Sequence, residues 1–141
     1  MNGKPLLKDK DKKKKKEHSI GWWKKKLWID FTKYIKARDK HICCTCGAKC
    51  EGHNAQGGHY IAKNACGLEY YFGETNTHCQ CNRCNLTLEG NRPAYRAFII
   101  RKYGEETLKD IETNYHRPCK NWDFPKKIDE YKEKLRNLES A

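Results

Sequence analysis

The sequence is short of apolar residues and short of acids. Hydrophobic residues fill 37% of its 141 positions, and 18 acidic side chains stand against 30 lysines and arginines. No apolar run approaches the roughly 18 residues that a membrane span needs. No apolar stretch follows the lysine-rich N-terminus, so a secretory signal is not predicted. There is no internal repeat, no heptad and no apolar stripe that reads as a clear subunit interface. The shortage of acid leaves a formal charge of +12. So large an excess is costly unless a polyanion offsets it, which argues against an enzyme of neutral metabolites. The apolar share is also low for a packed globule, and nine cysteines accompany it.

The charge can be located. Residues 1–17 hold eight lysines against Asp9, Asp11 and Glu17, a net +5, which leaves +7 of the +12 for residues 18–141. The N-terminal stretch can bury only Leu6 and Leu7, so a disordered lysine-rich tail is predicted over 1–20, followed by a single domain over 21–141. Such a tail serves as a localisation signal, a solubility aid, a nucleic-acid arm or a plain solvated end. The +7 on the folded part, with Trp22, Trp23, Trp28, Tyr34 and Tyr95, fits a phosphate-binding surface. Core packing is the simpler account of most of those aromatics.

The expected class is α+β. Leu27, Phe31, Tyr34 and Ile35 recur at helical spacing and predict a helix over 22–38 that docks by one face. Between 43 and 91 glycines and cysteines replace that periodicity. There, residues 59–62 and 68–72 read as short strands of an irregular hairpin. Helix returns at Pro93, a residue suited to a first turn, and Gly104 stops it. A short helix over 106–113 and a last one over about 125–138 complete the C-terminal helices.

An odd cysteine count in a chain that reads as cytosolic is a poor disulfide framework. The spacing is more informative. Cys43-Cys44-Thr45-Cys46-Gly47 and Cys81-Asn82-Arg83-Cys84 are two C-x-x-C pairs. Two thiolates in a tight turn reach one tetrahedral ion at about 2.3 Å, and a second pair closes the site, so a structural zinc on Cys43, Cys46, Cys81 and Cys84 is expected. Cys44, Cys50 and Cys79 lie near enough to substitute, and Cys46 with Cys50 is an alternative first pair. Gly47 favours Cys43 and Cys46, because it gives the turn a permissive residue. Cys66 and Cys119 read as free buried thiols. With so little apolar content, the centre should not fold without its metal.

His59 lies between the pairs, with Asn76 and His78 on the way back and Asn85 after the second pair. Taken singly, Asn76 reads as a turn residue and Asn85 as a helix cap. Taken together they suit phosphodiester hydrolysis. That reaction uses a base near neutral pH, which histidine provides, and a divalent cation against developing charge. Amide oxygens can ligate magnesium while it keeps several waters.

The order C-x-x-C-G, G-H-Y, N-x-H-x-Q-C-x-x-C-N, G-N and Y-R resembles the zinc-stapled branch of HNH endonucleases. More closely, it resembles the phage NinG (Rap) family of recombination endonucleases. The residues that carry the likeness run from Cys43, Cys46 and Gly47 through Gly58, His59, Tyr60, Asn76, His78, Gln80, Cys81, Cys84 and Asn85 to Gly90, Asn91, Tyr95 and Arg96. The resemblance implies a ββα-metal centre with His59 as general base and Asn76 orienting the loop or the base. It implies Asn85 as a ligand of a catalytic Mg2+ or Mn2+. Many HNH enzymes carry a ligand just before the base, where this chain has Gly58. His78 is the candidate replacement and His53 a weaker one, the other arrangement being Asn85, waters and the DNA phosphate.

The same resemblance implies structure-specific cleavage of branched DNA in the host cytoplasm, where a two-fold junction invites a homodimer. Composition adds a basic chain with no evident base-reading helix, which fits recognition of shape. Arg83, Arg92, Arg96 and Arg101 are the candidate phosphate contacts, each equally readable as an ordinary solvated side chain. The competing reading is a non-catalytic zinc-finger module that binds nucleic acid. A thiol enzyme would want a βαβ context that the centre lacks.

Overall fold

The computed structural model describes residues 18–141. Most of the expected lysine-rich tail therefore lies outside the described residues.

Ser19 opens the first helix, α1 (Ile20–Arg38), by accepting a hydrogen bond from the Trp22 amide at 3.1 Å. Its stripe of Leu27, Phe31 and Ile35 is fully buried. These three meet Phe72, Phe124 and Tyr131, and the last two come from the final helix, α5 (Phe124–Ser140). Asp123 caps α5 through the Lys126 amide at 3.1 Å. This aromatic layer is one of three small cores among the described residues. A second joins Tyr60 and Ile61 to α3 (Arg92–Tyr103) and α4 (Glu105–Asn114), through Tyr95, Ile99, Leu108 and Ile111. The third is mainly sulfur: Cys43, Cys50, Cys79, Cys81 and Cys84 with Ala55.

The sheet is a two-stranded antiparallel pair, β1 (Ala55–His59) against β2 (Thr77–Cys81). This corrects the expected hairpin. His59 ends the first strand rather than beginning it, and the aromatic run expected as a partner strand forms a single helical turn, α2 (Leu68–Tyr71). The actual partner, Thr77-His78-Cys79-Gln80-Cys81, is buried at every position, so it shows no alternation of polar and apolar residues.

Two glycines let the layers approach β1. A Cβ at Gly57 would stand 2.8 Å from Thr32 Cγ2 and 3.2 Å from the Trp28 ring, so its absence admits α1. A Cβ at Gly58 would overlap the Gln80 side chain. The end of α1 fixes β2. Arg38 pairs with Asp39 at 2.8 Å and donates to the carbonyls of Glu74 and Thr77, each at 2.9 Å. Asp39 in turn accepts from the Cys79 amide at 2.7 Å. Among the described residues, no helix is long and apolar enough to cross a membrane.

Candidate functional site

The sulfur centre comes first, because the neighbouring cleft is built on it. The Sγ atoms of Cys43, Cys46, Cys81 and Cys84 all lie within 4.8 Å of one another. Cys46 Sγ and Cys81 Sγ are 3.7 Å apart. A tetrahedron of about 2.3 Å metal–sulfur bonds has edges of about 3.8 Å, so the four residues fit one ion. Surrounding donors also face the sulfurs: the Cys84 amide reaches Cys81 Sγ at 3.4 Å, and Asn91 Nδ2 reaches Cys84 Sγ at 3.6 Å. Thr45 Oγ1 stands 3.3 Å from Cys43 Sγ. Of the thiols weighed as substitutes, Cys44, Cys50 and Cys79 stay outside the four. Cys66 and Cys119, expected to be buried, are both partly exposed.

Four thiols this close cannot ionise together in the absence of a cation. Burial opposes charge on Cys43, but the Thr45 hydroxyl and nearby backbone amides bring it down to about 6. Cys46 accepts help from the Ala48 amide, yet burial and hydrogen bonds to the other three thiols push it up to about 12. A dication would resolve that conflict by making all four thiolates favourable.

The second feature is a cleft of about 310 Å³ whose lining includes Trp28, His59, Lys63, Asn85 and Glu89. His59 stands at the end of β1, its ring stacked on Trp28 at 5.2 Å and edged by Tyr71 at 5.5 Å. Its Nε2 lies 2.7 Å from the Tyr71 carbonyl. A carbonyl only accepts, so the proton sits on Nε2, and Nδ1 is the free base. Burial pulls the imidazole down to about 4, the Tyr71 hydrogen bond opposing this and the Lys63 charge adding to it. The ring is therefore neutral at pH 7.

Asn85 lies in a π-helical turn, Arg83–Thr87, directly after the second cysteine pair. Its Nδ2 donates to Gln56 Oε1 at 2.8 Å, which leaves Asn85 Oδ1 to act as an acceptor or ligand. Glu89 follows one turn later in a left-handed conformation, φ 50°, which a non-glycine residue adopts only at a cost. It brings a carboxylate to the cleft that sequence reasoning missed.

The structure thus brings His59 and Asn85 to one cleft and puts the other expected residues elsewhere. Asn76 is fully buried and braces the chain behind the cleft. It accepts from the Ile61 amide at 2.9 Å and donates to the Tyr70 carbonyl at 3.0 Å, one residue from the carbonyl that holds His59.

His78 does not fit the role of a replacement ligand. It pairs across the sheet with Gly58, whereas His59 pairs with Thr77, so the two histidines face opposite sides. Both His78 nitrogens are engaged, with Tyr95 Oη at 3.0 Å and Tyr103 Oη at 2.7 Å. Burial, with the charges of Arg38 and Lys102, pushes its pKa far down, to about 2. His53 is exposed in a 3-10 turn before β1 and is not part of the cleft lining.

The place a ligand would take before the base is filled by Gln80. Its Nε2 reaches the Gly90 carbonyl at 2.9 Å and Thr45 Oγ1 at 3.1 Å. One side chain thereby ties the rim of the cleft to the sulfur centre. Arg83, Arg92, Arg96 and Arg101 are all exposed. Arg92 and Arg96 share a face of α3 by their spacing, with Arg92 5.5 Å above the Tyr60 ring, and Arg101 falls on another face.

The model of the family described as "Bacteriophage Lambda NinG protein" matches residues 4–140. Protein ninG of Escherichia phage lambda is 31% identical over 122 residues, which is 85% of this chain and 59% of that protein. Protein ninG of Salmonella phage P22 is 30% identical over 122 residues, again 85% of this chain and 59% of that protein. For protein ninG of Enterobacteria phage H19B the identity is 30% over 96 residues, 68% of this chain and 47% of that protein. The chain therefore spans less than two thirds of these relatives. No solved structure gives a significant match.

Proposed function

The chain belongs to the bacteriophage lambda NinG protein family, and on that premise we propose that it is a metal-dependent DNA endonuclease of the HNH type. It hydrolyses phosphodiester bonds in branched recombination intermediates in the host cytoplasm. The observation that carries the reading is the His59 imidazole, tied through Nε2 to the Tyr71 carbonyl and lining one cleft with Asn85 and Glu89. A neutral histidine held in one tautomer, beside an amide oxygen and a carboxylate, suits activation of water.

In this mechanism His59 Nδ1 takes a proton from a water molecule as that water attacks phosphorus, and the leaving oxygen departs from the opposite side. Asn85 Oδ1 and the Glu89 carboxylate would hold a catalytic Mg2+ or Mn2+, with Gln56 fixing the Asn85 amide. That cation supplies neutralisation of charge on the phosphorane and the leaving oxygen. Trp28 keeps the imidazole plane fixed, and Lys63 offsets phosphate charge at the rim. A structural zinc on Cys43, Cys46, Cys81 and Cys84 holds the π-helical turn that carries Asn85. Arg83, Arg92 and Arg96 contact phosphates from the helical side, and a homodimer sets one cleft on each strand of a symmetric junction.

The test is to incubate the purified protein with branched, nicked and linear DNA, with Mg2+, with Mn2+ and with EDTA. Metal-dependent cutting that His59→Ala abolishes is the expected result. Binding without cleavage under every divalent ion would instead support the non-catalytic zinc-finger module.

A further inference from the structure

The exposed face of α1 takes no part in the chemistry described so far, yet it is built unlike an ordinary solvated helix face. Trp22, Lys25, Lys26, Ile29 and Lys33 fall on one side by the 3.6-residue period, and all five are exposed. Trp22 is 37% exposed and Ile29 53%. Leu27, Phe31 and Ile35 carry the core side of α1, with Trp23, Trp28 and Tyr34 packed beside them; Trp22 touches that layer only through the edge of Trp23, and Ile29 is not part of it. The face carries three cations and no acid. Asp30, the sole acidic residue of α1, stands roughly a quarter-turn away.

At its N-terminal end the aromatic surface is already organised. The His18 ring stacks on Trp22 with centroids 3.6 Å apart and 6° between the planes. Lys26 Nζ lies 5.4 Å from the Trp22 ring. A flat aromatic pair flanked by lysines has the chemistry of a nucleobase platform: the ring face takes a base, and the ammonium groups take the phosphates on either side. Lysine and tryptophan cannot tell one base edge from another, because base reading needs paired donors and acceptors. The platform therefore responds to an unstacked base and not to its identity.

Trp28 lies on the same helix, about a third of a turn round from Trp22, where it stacks on His59. From Trp22 to Trp28 the helix rises about 9 Å. At about 3.4 Å per nucleotide along one strand, that spans about three nucleotides.

We propose that this face of α1 grips DNA, with the Trp22–His18 stack holding an unpaired base at a branch point. The proposal rests on the nuclease reading and adds to it the device that distinguishes branched from linear DNA. DNA is the partner, since the face pairs three cations for the phosphates with an aromatic surface for a base.

The test measures binding in EDTA, where nothing is cut, to a four-way junction carrying 2-aminopurine at the branch and to a linear duplex of the same sequence. Trp22→Ala is expected to lower the junction-to-duplex affinity ratio about tenfold and to remove quenching of the 2-aminopurine, while Trp22→Phe keeps both. Lys26→Ala combined with Lys33→Ala is expected to weaken both DNAs alike and to lower the log–log salt slope by about 2. Because these side chains are exposed, circular dichroism should show each variant folded. If wild type binds both DNAs and Trp22→Ala leaves the ratio and the quenching unchanged, the platform is overturned and the nuclease reading stands. If wild type binds neither DNA, both are overturned. A lysine variant with an unaltered salt slope overturns the phosphate grip.

Discussion

The His59 imidazole donates from Nε2 to the Tyr71 carbonyl across 2.7 Å, so its free nitrogen is Nδ1. This one contact ties the last residue of β1 to α2, a helical turn that sequence reading took for a strand. It also decides which nitrogen keeps a free lone pair.

His59→Ala should lower cleavage by about 100-fold or more and leave zinc content and DNA affinity intact. The pH response follows from burial, which pulls the imidazole to about 4 from its ordinary 6.5. A base acts when neutral, so the rate should be flat between about pH 6 and 8 and fall as the pH drops through about 4. The effect on stability has the same sign. The fold favours the neutral ring, so this contribution is full above 6.5 and is lost as the pH falls from there through about 4. A pH–rate profile and an NMR titration of His59 check both; a ring that titrates near 6.5 would contradict them.

Removing the metal should unfold the centre. Binding energy at a four-thiolate site is folding energy, and the sulfur core has almost nothing else to pack. A strong chelator should melt the protein tens of degrees lower or abolish its cooperative transition. Cys50→Ser and Cys119→Ser should keep one zinc per chain, and Cys43→Ser and Cys84→Ser should lose it. Metal analysis beside a thermal melt decides it, and a verified zinc-free sample with unchanged melting would refute it.

Gly58→Ala should destabilise by about 1–3 kcal/mol, because its Cβ would overlap the Gln80 side chain. Gln80 would be pushed from its bonds to Gly90 and Thr45, so the damage should reach the sulfur centre as well. Denaturant unfolding gives the first effect, and the rate of zinc release to a chelator gives the second.

His78→Phe should cost about 1–3 kcal/mol, because it leaves the buried Tyr95 hydroxyl without its donor and the partly buried Tyr103 hydroxyl without its acceptor. Mn2+ affinity, read by electron paramagnetic resonance, should not change. If it falls in step with activity, His78 reaches the catalytic ion and the opposite-face geometry is wrong.

The sequence was informative where the signal is local. The helical stripe of Leu27, Phe31 and Ile35, the proline and glycine that bracket α3, and the cysteine pairs each depend on residues a turn or so apart. The strands were harder to read. Ala55-Gln56-Gly57-Gly58 has no β-branched residue, and β2 buries Thr77, His78 and Gln80, whose polarity hides the strand. The aromatics 70–72 suggested β structure, but Gly67 and Gly73 bound a helical turn there instead. Glu89 was passed over because nothing in its own neighbourhood marks it as part of a cleft.

By itself the sequence determined that four of its cysteines can form a metal staple, that helices flank the centre, and that its motifs follow the order of the NinG family. Spacing along the chain is enough for each of these. Only the tertiary structure decided which side of the sheet each residue faces. Pairing His59 with Thr77 and His78 with Gly58 sends one histidine to the cleft and the other into a tyrosine cage. A strand's two faces alternate with every residue, so the outcome depends on register with a partner some twenty positions away.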